Sequence, residues 1–223
     1  GSGKTLAFVI PLIDSSKRSQ SKYPHALVLS PTRELAEQIY TELRSLSRDV
    51  RVGVVYGGVG YGAQLHTLKK GVDILVACPG RLEDLIQQKA VNLSSVEKVV
   101  LDEADRMADM GFMPSVNRLL HQTSKERQTV LFSATLYGDV AQLIKQHLNN
   151  PVTHPVGNET PDITAAHHFF WKVDKSNRLE IAAEILNSAW PAIVFCRTRH
   201  GVDRLTKQMS KSGIKAAAIH GGR

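Results

Sequence analysis

Short apolar runs punctuate the first two thirds of the chain: Ala26-Leu27-Val28-Leu29, Val52 to Val55, Ile74-Leu75-Val76-Ala77, Val99-Val100-Leu101 and Val130-Leu131-Phe132. Near-continuous apolar runs without polar alternation are predicted to be strands of a parallel sheet covered on both faces. Between them, apolar residues recur at helical spacing. Leu35, Ile39, Leu43 and Leu46 share one face of a segment beginning near Thr32, and Val140, Leu143, Ile144 and Leu148 share another. Strand alternating with helix implies right-handed crossovers and an α/β fold.

The pattern lapses over His154 to Ala166, where Pro155, Gly157 and Pro161 interrupt any period and a linker is expected. Beyond it the pattern predicts strands at His168 to Val173, Ala192 to Phe195 and Ala216 to Ile219. The helices between them carry Leu179, Ala182, Ala183 and Leu186, then Val202, Leu205 and Met209, the second stopping near Gly213. The organisation expected is therefore one domain over 1–153, a linker over 154–166 and a second domain over 167–223.

Each apolar strand of the first domain leads directly into its most distinctive polar residues. Leu29 is followed by Ser30-Pro31-Thr32-Arg33-Glu34, Val55 by Tyr56-Gly57-Gly58, and Ala77 by Cys78-Pro79-Gly80-Arg81. Leu101 is followed by Asp102-Glu103-Ala104-Asp105, and Phe132 by Ser133-Ala134-Thr135. Parallel α/β sheets bind ligands beyond the carboxyl ends of their strands, so these segments should gather along one edge as a single site.

Composition narrows the class. At 223 residues, 42% hydrophobic and 22% charged, the chain is an ordinary globular sequence with enough apolar residues for a core. No apolar run approaches the ~20 residues needed to span a membrane, and no secretory signal opens it. The first residue is Gly1 rather than Met, which fits a fragment. Cys78 and Cys196 are too few for a disulfide framework and indicate a reducing compartment, taken here as the cytoplasm. A net charge of +7 favours an anionic partner such as nucleic acid.

Gly1-Ser2-Gly3-Lys4-Thr5 matches the end of the phosphate-loop pattern G-x-x-x-x-G-K-[ST], whose first position would precede Gly1. Backbone N–H groups of such a turn wrap a phosphate, Lys4 neutralises its oxygens and the Thr5 hydroxyl can ligate Mg²⁺. A flexible Gly-Ser terminus is the competing reading. Asp102, directly after a strand, sits where a metal-holding carboxylate belongs, and Glu103 beside it can act as general base toward water. Helix capping alone would explain one of these carboxylates but not three within four residues.

In the order GSGKT, PTRELAEQ (Pro31 to Gln38), Gly57-Gly58, CPGR, DEAD, SAT and FCRTR (Phe195 to Arg199), these motifs run through essentially the whole chain. It resembles a DEAD-box ATP-dependent RNA helicase of superfamily 2, bacterial in flavour over Asp105 to Phe112. The resemblance implies two RecA-like domains, each a parallel sheet with helices on both faces, the first without its opening strand and the second truncated. It implies ATP and Mg²⁺ as cofactors and RNA as partner, gripped through its backbone without regard to sequence, with protein partners reached through flanking tails.

By matching position, the resemblance assigns Gly1 to Thr5 to the nucleotide, Thr5 and Asp102 to the metal, and Glu103 to activation of water. It gives Ser133 and Thr135 the task of coupling hydrolysis to domain closure through the acidic motif, Asp105 in particular. Pro31, Thr32, Arg33, Gly58, Pro79, Gly80 and Arg81 would line the RNA path in the first domain, and Thr198 and Arg199 would extend it in the second. Cys78 departs from the family's usual Thr. The Gly57 to Gly62 stretch spells no dinucleotide fingerprint, and His167-His168 lacks partners at metal-ligand spacing. Phe169, Phe170 and Trp171 are expected in the core of the second domain. Rival readings are a superfamily 2 DNA helicase and an ATP-dependent RNA clamp without turnover. The fragment itself is expected to be inactive alone.

Overall fold

A computed structural model describes residues 3–16, 21–156, 167–174, 176–189 and 191–221. The chain divides into two compact units, Gly1–Thr153 and His154–Arg223.

In the first unit, β1 (Ala26–Leu29), β2 (Val52–Val55), β3 (Ile74–Ala77), β4 (Lys98–Leu101) and β5 (Gln128–Leu131) form one sheet in the order β2-β3-β1-β4-β5. All pairings are parallel and in register, with Leu29 opposite both Ala77 and Leu101. The apolar runs arise because both faces are covered. Leu27, Leu29, Leu75, Ala77, Val99 and Leu101 point into one core, packed by α4 (Pro79–Gln87), α5 (Ala104–Asp109), α6 (Met113–His121) and α7 (Asp139–His147), with Leu68 of α3 (Gly62–Lys70). Val28, Ile74, Val76 and Val100 point into the other, against Phe8, Val9 and Leu12 of α1 (Lys4–Asp14) and Ala36, Ile39 and Leu43 of α2 (Arg33–Leu46).

Several expectations need correction. The inner face of α2 is Ala36-Ile39-Leu43, while Leu46 at its end is 50% exposed. The last strand is Gln128–Leu131 rather than 130–132, and it is half-exposed, because it has one neighbour in the sheet and two of its four residues are polar.

The second unit carries α8 (Arg178–Ser188) and α9 (Arg199–Lys211). The latter ends as expected, with Gly213 at φ 81° and the Gly213 and Ile214 amides donating to Ser210 and Met209 carbonyls. The three expected strands do not form among the described residues: 168–173, 192–195 and 216–219 carry no ladder. Phe169, Phe170, Phe195 and Ile219 are correspondingly exposed rather than in a core. A parallel sheet needs cover on both faces, and two helices with Met209 as their buried residue do not supply it. The end of the expected linker, 157–166, lies outside the described residues.

At the amino ends of the strands, fully buried Asp73 ties β2 to β3. Its carboxylate accepts from the Arg51 backbone N–H at 2.8 Å and from the Arg51 guanidinium at 3.0 and 2.6 Å. Removing one partner of a buried pair costs about 3–5 kcal/mol. Arg51→Ala, which leaves the buried Asp73 carboxylate without its guanidinium, should destabilise at least as much as Asp73→Ala, which leaves a guanidinium already 24% exposed. Urea unfolding checks this; a loss below about 0.5 kcal/mol for Arg51→Ala would contradict it.

Candidate functional site at the carboxyl rim of the sheet

Parallel register brings the ends of β1, β3, β4 and β5 to one rim. The backbone confirms the closeness: Ser30 N–H donates to Ala77 O, Asp102 N–H to Leu29 O, and Phe132 N–H to Leu101 O, at 3.0, 2.9 and 2.8 Å.

At this rim α1 begins. Gly3 caps it with φ 71°, a left-handed conformation suited to glycine, and among the described residues no side chain caps the first turn. The leading amides of the helix are thereby left for an anion, where the helix dipole is positive. Lys4 is exposed and Thr5 half-buried. Phe8 anchors the helix through its ring, 5.4 Å from that of Phe132, the residue before Ser133. Gly1 and Ser2 lie outside the described residues.

Asp102 is 6% exposed and accepts from the Glu103 N–H at 3.1 Å. Burial, then the neighbouring Glu103 charge, push its carboxyl above the ordinary aspartate range, while the Lys4 ammonium pulls it back. The Lys4 ammonium thus lies near enough for its charge to act on the buried acid. Glu103 sits at φ 51°, ψ 55°, rare for a residue with a β-carbon and costing of order 1–3 kcal/mol. Its Oε2 is buried with no hydrogen-bond partner among the described residues; the Arg106 guanidinium is 4.0 Å away, an ion-pair distance too long for a hydrogen bond.

Ser133 joins two motifs. Its hydroxyl accepts from the Asp105 N–H at 3.2 Å and the Thr135 N–H at 3.3 Å, and donates to the Thr135 carbonyl at 2.6 Å. The link to the acidic motif runs through the Asp105 backbone, not its carboxylate.

The remaining rim residues sit at helix starts. Thr32, after buried Pro31, caps α2 by accepting from the Leu35 N–H at 3.3 Å, with Arg33 exposed at its first position. Pro79 and Gly80 open α4 behind Cys78, which is extended and makes no side-chain cap. Burial, with Glu34 nearby, raises the Cys78 thiol to about 11, so it stays a neutral thiol inside the turn. Gly58, at φ 80°, and Gly80 both face open space. Arg81 is 8% exposed, with Nη2 donating to the Val59 carbonyl at 2.9 Å and Nε and Nη1 unpartnered among the described residues. In the second unit Thr198 caps α9 by accepting from the Gly201 N–H at 3.0 Å, and Arg199 is its first residue.

The sequence pattern brings Ser30 and Tyr56 to the rim without giving either a role, and it does not single out Tyr61 or Gln64. The tyrosine rings carry Arg33 and Arg81, Gln64 holds the Tyr56 backbone through both its amide atoms, and the Ser30 hydroxyl is buried without a partner among the described residues. The two aromatic residues bracketing the glycines were the available signal. A cavity of about 460 Å³ lined by Tyr23, Ile86, Lys89 and Leu93 lies at the opposite, amino end of the sheet and takes no part in this site.

A family model for DEAD/DEAH box helicases matches residues 1–143. The chain is 37% identical to the DEAD-box ATP-dependent RNA helicase CshA of Bacillus licheniformis and 36% to the ATP-dependent RNA helicase RhlB of Shewanella amazonensis, in each case over 99% of its length. It spans 46% and 53% of those relatives' lengths. A crystal structure of a DEAD box protein from Methanococcus jannaschii superposes with a TM-score of 0.65 at 33% identity, over 99% of this chain and 60% of that one. The match of the family model to well over half of the chain, on the fold and rim described above, makes this chain a member of the DEAD/DEAH box helicase family.

Proposed function

We propose that the protein is an ATP-dependent RNA helicase, in which RNA-stimulated ATP hydrolysis drives local separation of short duplexes. The observation that carries this is the gathering of Lys4, buried Asp102 and Glu103 at one rim, where the Lys4 charge acts on the Asp102 carboxyl. The relatives' printed names, all RNA helicases, support RNA over DNA. The first unit is read as the ATP-binding RecA-like domain, 154–166 as a linker and 167–223 as part of a second such domain, the whole working in the cytoplasm. Among the described residues no helix is long and apolar enough to cross a membrane.

In this reading the amides of Gly1 to Thr5 and the Lys4 ammonium hold the triphosphate. Among the described residues no three His, Cys, Asp or Glu side chains cluster as a metal cage. One buried carboxylate and one hydroxyl, Asp102 and Thr5, fit an ion that keeps its waters and takes phosphate oxygens instead, as Mg²⁺ does. Bound there, Mg²⁺ would neutralise charge developing on the phosphate oxygens. Glu103, with one oxygen unpartnered, takes the proton of the attacking water. Ser133, bonded to the Asp105 amide and to Thr135, transmits the state of the acidic motif toward domain closure.

RNA lies along the helix starts. Amides behind Pro31, Thr32, Pro79 and Thr198, the open backbone at Gly58 and Gly80, and the charges of Arg33, Arg81 and Arg199 grip phosphates, which carry no base identity. Binding should therefore be independent of sequence and weaken with salt.

Two outcomes test this in the complete protein. Glu103→Gln should lower RNA-stimulated phosphate release by about 10²–10⁴-fold while ATP-dependent RNA retention persists; surviving turnover would refute the base assignment. Asp102→Asn should abolish turnover yet raise the melting temperature at neutral pH. The folded-state pKa of Asp102 is raised, so its ionised form destabilises the fold above that pKa. The penalty fades as pH falls toward the unfolded aspartate value, and the variant's advantage should vanish there. A variant less stable than wild type at neutral pH would contradict the burial argument.

A further inference from the structure

The segment Tyr56-Gly57-Gly58-Val59-Gly60-Tyr61 connects β2 to α3 and places a tyrosine at each end of a glycine-rich turn. Each tyrosine ring carries one arginine from a different helix start. The Arg33 guanidinium lies 5.0 Å from the centre of the Tyr56 ring and that of Arg81 lies 4.0 Å from the centre of the Tyr61 ring. Both rings are fixed from behind. The Tyr56 hydroxyl donates to Glu37, its backbone N–H donates to Gln64 Oε1 at 3.3 Å, and its carbonyl accepts from Gln64 Nε2 at 3.1 Å. The Tyr61 hydroxyl donates to Asp84 Oδ2 at 3.1 Å, one turn along the helix that Arg81 belongs to.

Arg81 shows what the arrangement is for. It is nine-tenths buried, one nitrogen is spent on the Val59 carbonyl and one face on Tyr61, and Nε and Nη1 have no partner among the described residues. A buried guanidinium with unsatisfied N–H groups is costly unless an anion completes it. A Cβ added at the glycines between the tyrosines, or at Gly80 beside Arg81, would meet nothing within 4 Å, so the backbone of the turn is open to an approaching phosphate. An arginine stacked on a ring loses less conformational freedom on gripping a phosphate than one swinging in solvent.

Resting on the RNA reading above, we propose that Tyr56 and Tyr61 are positioning residues that hold Arg33 and Arg81 as a spaced pair of phosphate receivers on either side of the glycine turn. The tyrosines do not touch the phosphates; they act through the arginines. The ring supplies the hold on each arginine, and the hydroxyls only orient the ring.

The test measures ATP turnover against RNA concentration, and ATP-dependent RNA binding against salt, for Tyr→Leu and Tyr→Phe at each position in the complete protein. Tyr61→Leu and Tyr56→Leu should each raise the RNA concentration for half-maximal turnover by about 5–30-fold, while turnover at saturating RNA falls less than about twofold. The slope of log affinity against log salt should shrink by about 0.7 per variant, one phosphate contact on a single strand. Tyr→Phe at either position should match wild type. Leu variants with the wild-type RNA midpoint and salt slope would overturn the inference. So would a parallel fall in melting temperature and saturated turnover with the slope intact, since that is a structural role. Phe variants that behave like Leu would also overturn it, because the hydroxyl rather than the ring would then matter. A wild-type protein whose ATP turnover ignores RNA would sink the RNA reading itself, an outcome distinct from all of these.

Discussion

Hydrogen bonding between parallel strands that are buried on both faces leaves polar chemistry only one place to go. β1, β3 and β4 have no solvent face apart from Lys98 at the start of β4, so every other side chain along them is apolar and polar chemistry resumes where each strand stops. In-register pairing puts those stops at one level. Ser30, Cys78, Asp102 and Ser133 therefore follow four different strands yet share one rim, and α2, α4 and α5 start within a few residues of the first three.

The rim is where the fold departs from its own best stability. Burial raises the Asp102 pKa, Glu103 holds a left-handed backbone, and Arg81 keeps N–H groups that have no partner among the described residues out of water. Each is unfavourable alone; a bound cation would offset the first and a bound anion the last, while the backbone strain is held in place by the surrounding fold. The opposite end of the sheet shows the reverse economy. There the Asp73 carboxylate accepts from the Arg51 backbone and guanidinium at the start of β2 and β3, and the same guanidinium donates to the Ser21 carbonyl.

Much of this was legible in the sequence because two-sided burial writes unbroken apolar runs, and because chemistry at strand ends writes polar motifs immediately after them. The β1, β2 and β3 runs coincide with the strands found, and the rim segments meet as their positions imply. Legibility failed where neighbours decide the outcome. Val130 belongs to a strand with one partner and stays exposed, although its own residues read as core. Phe169, Phe170 and Trp171 read as core too, yet apolar character makes a strand only where a ladder and covering helices exist. The pairing of Tyr56 with Arg33 and of Tyr61 with Arg81 was missed for a different reason: a ring holding an arginine from another element leaves no spacing signature, since the two residues meet only in the fold.

The most direct test is an experimental structure of the protein with Mg²⁺ and a non-hydrolysable ATP analogue. The triphosphate should lie across the first turn of α1 with its outer oxygens at Lys4, and the metal should sit between Thr5 and Asp102 with Glu103 facing the terminal phosphate. A nucleotide bound elsewhere, or a Lys4 ammonium turned away from the two acids with the triphosphate in place, would contradict the account.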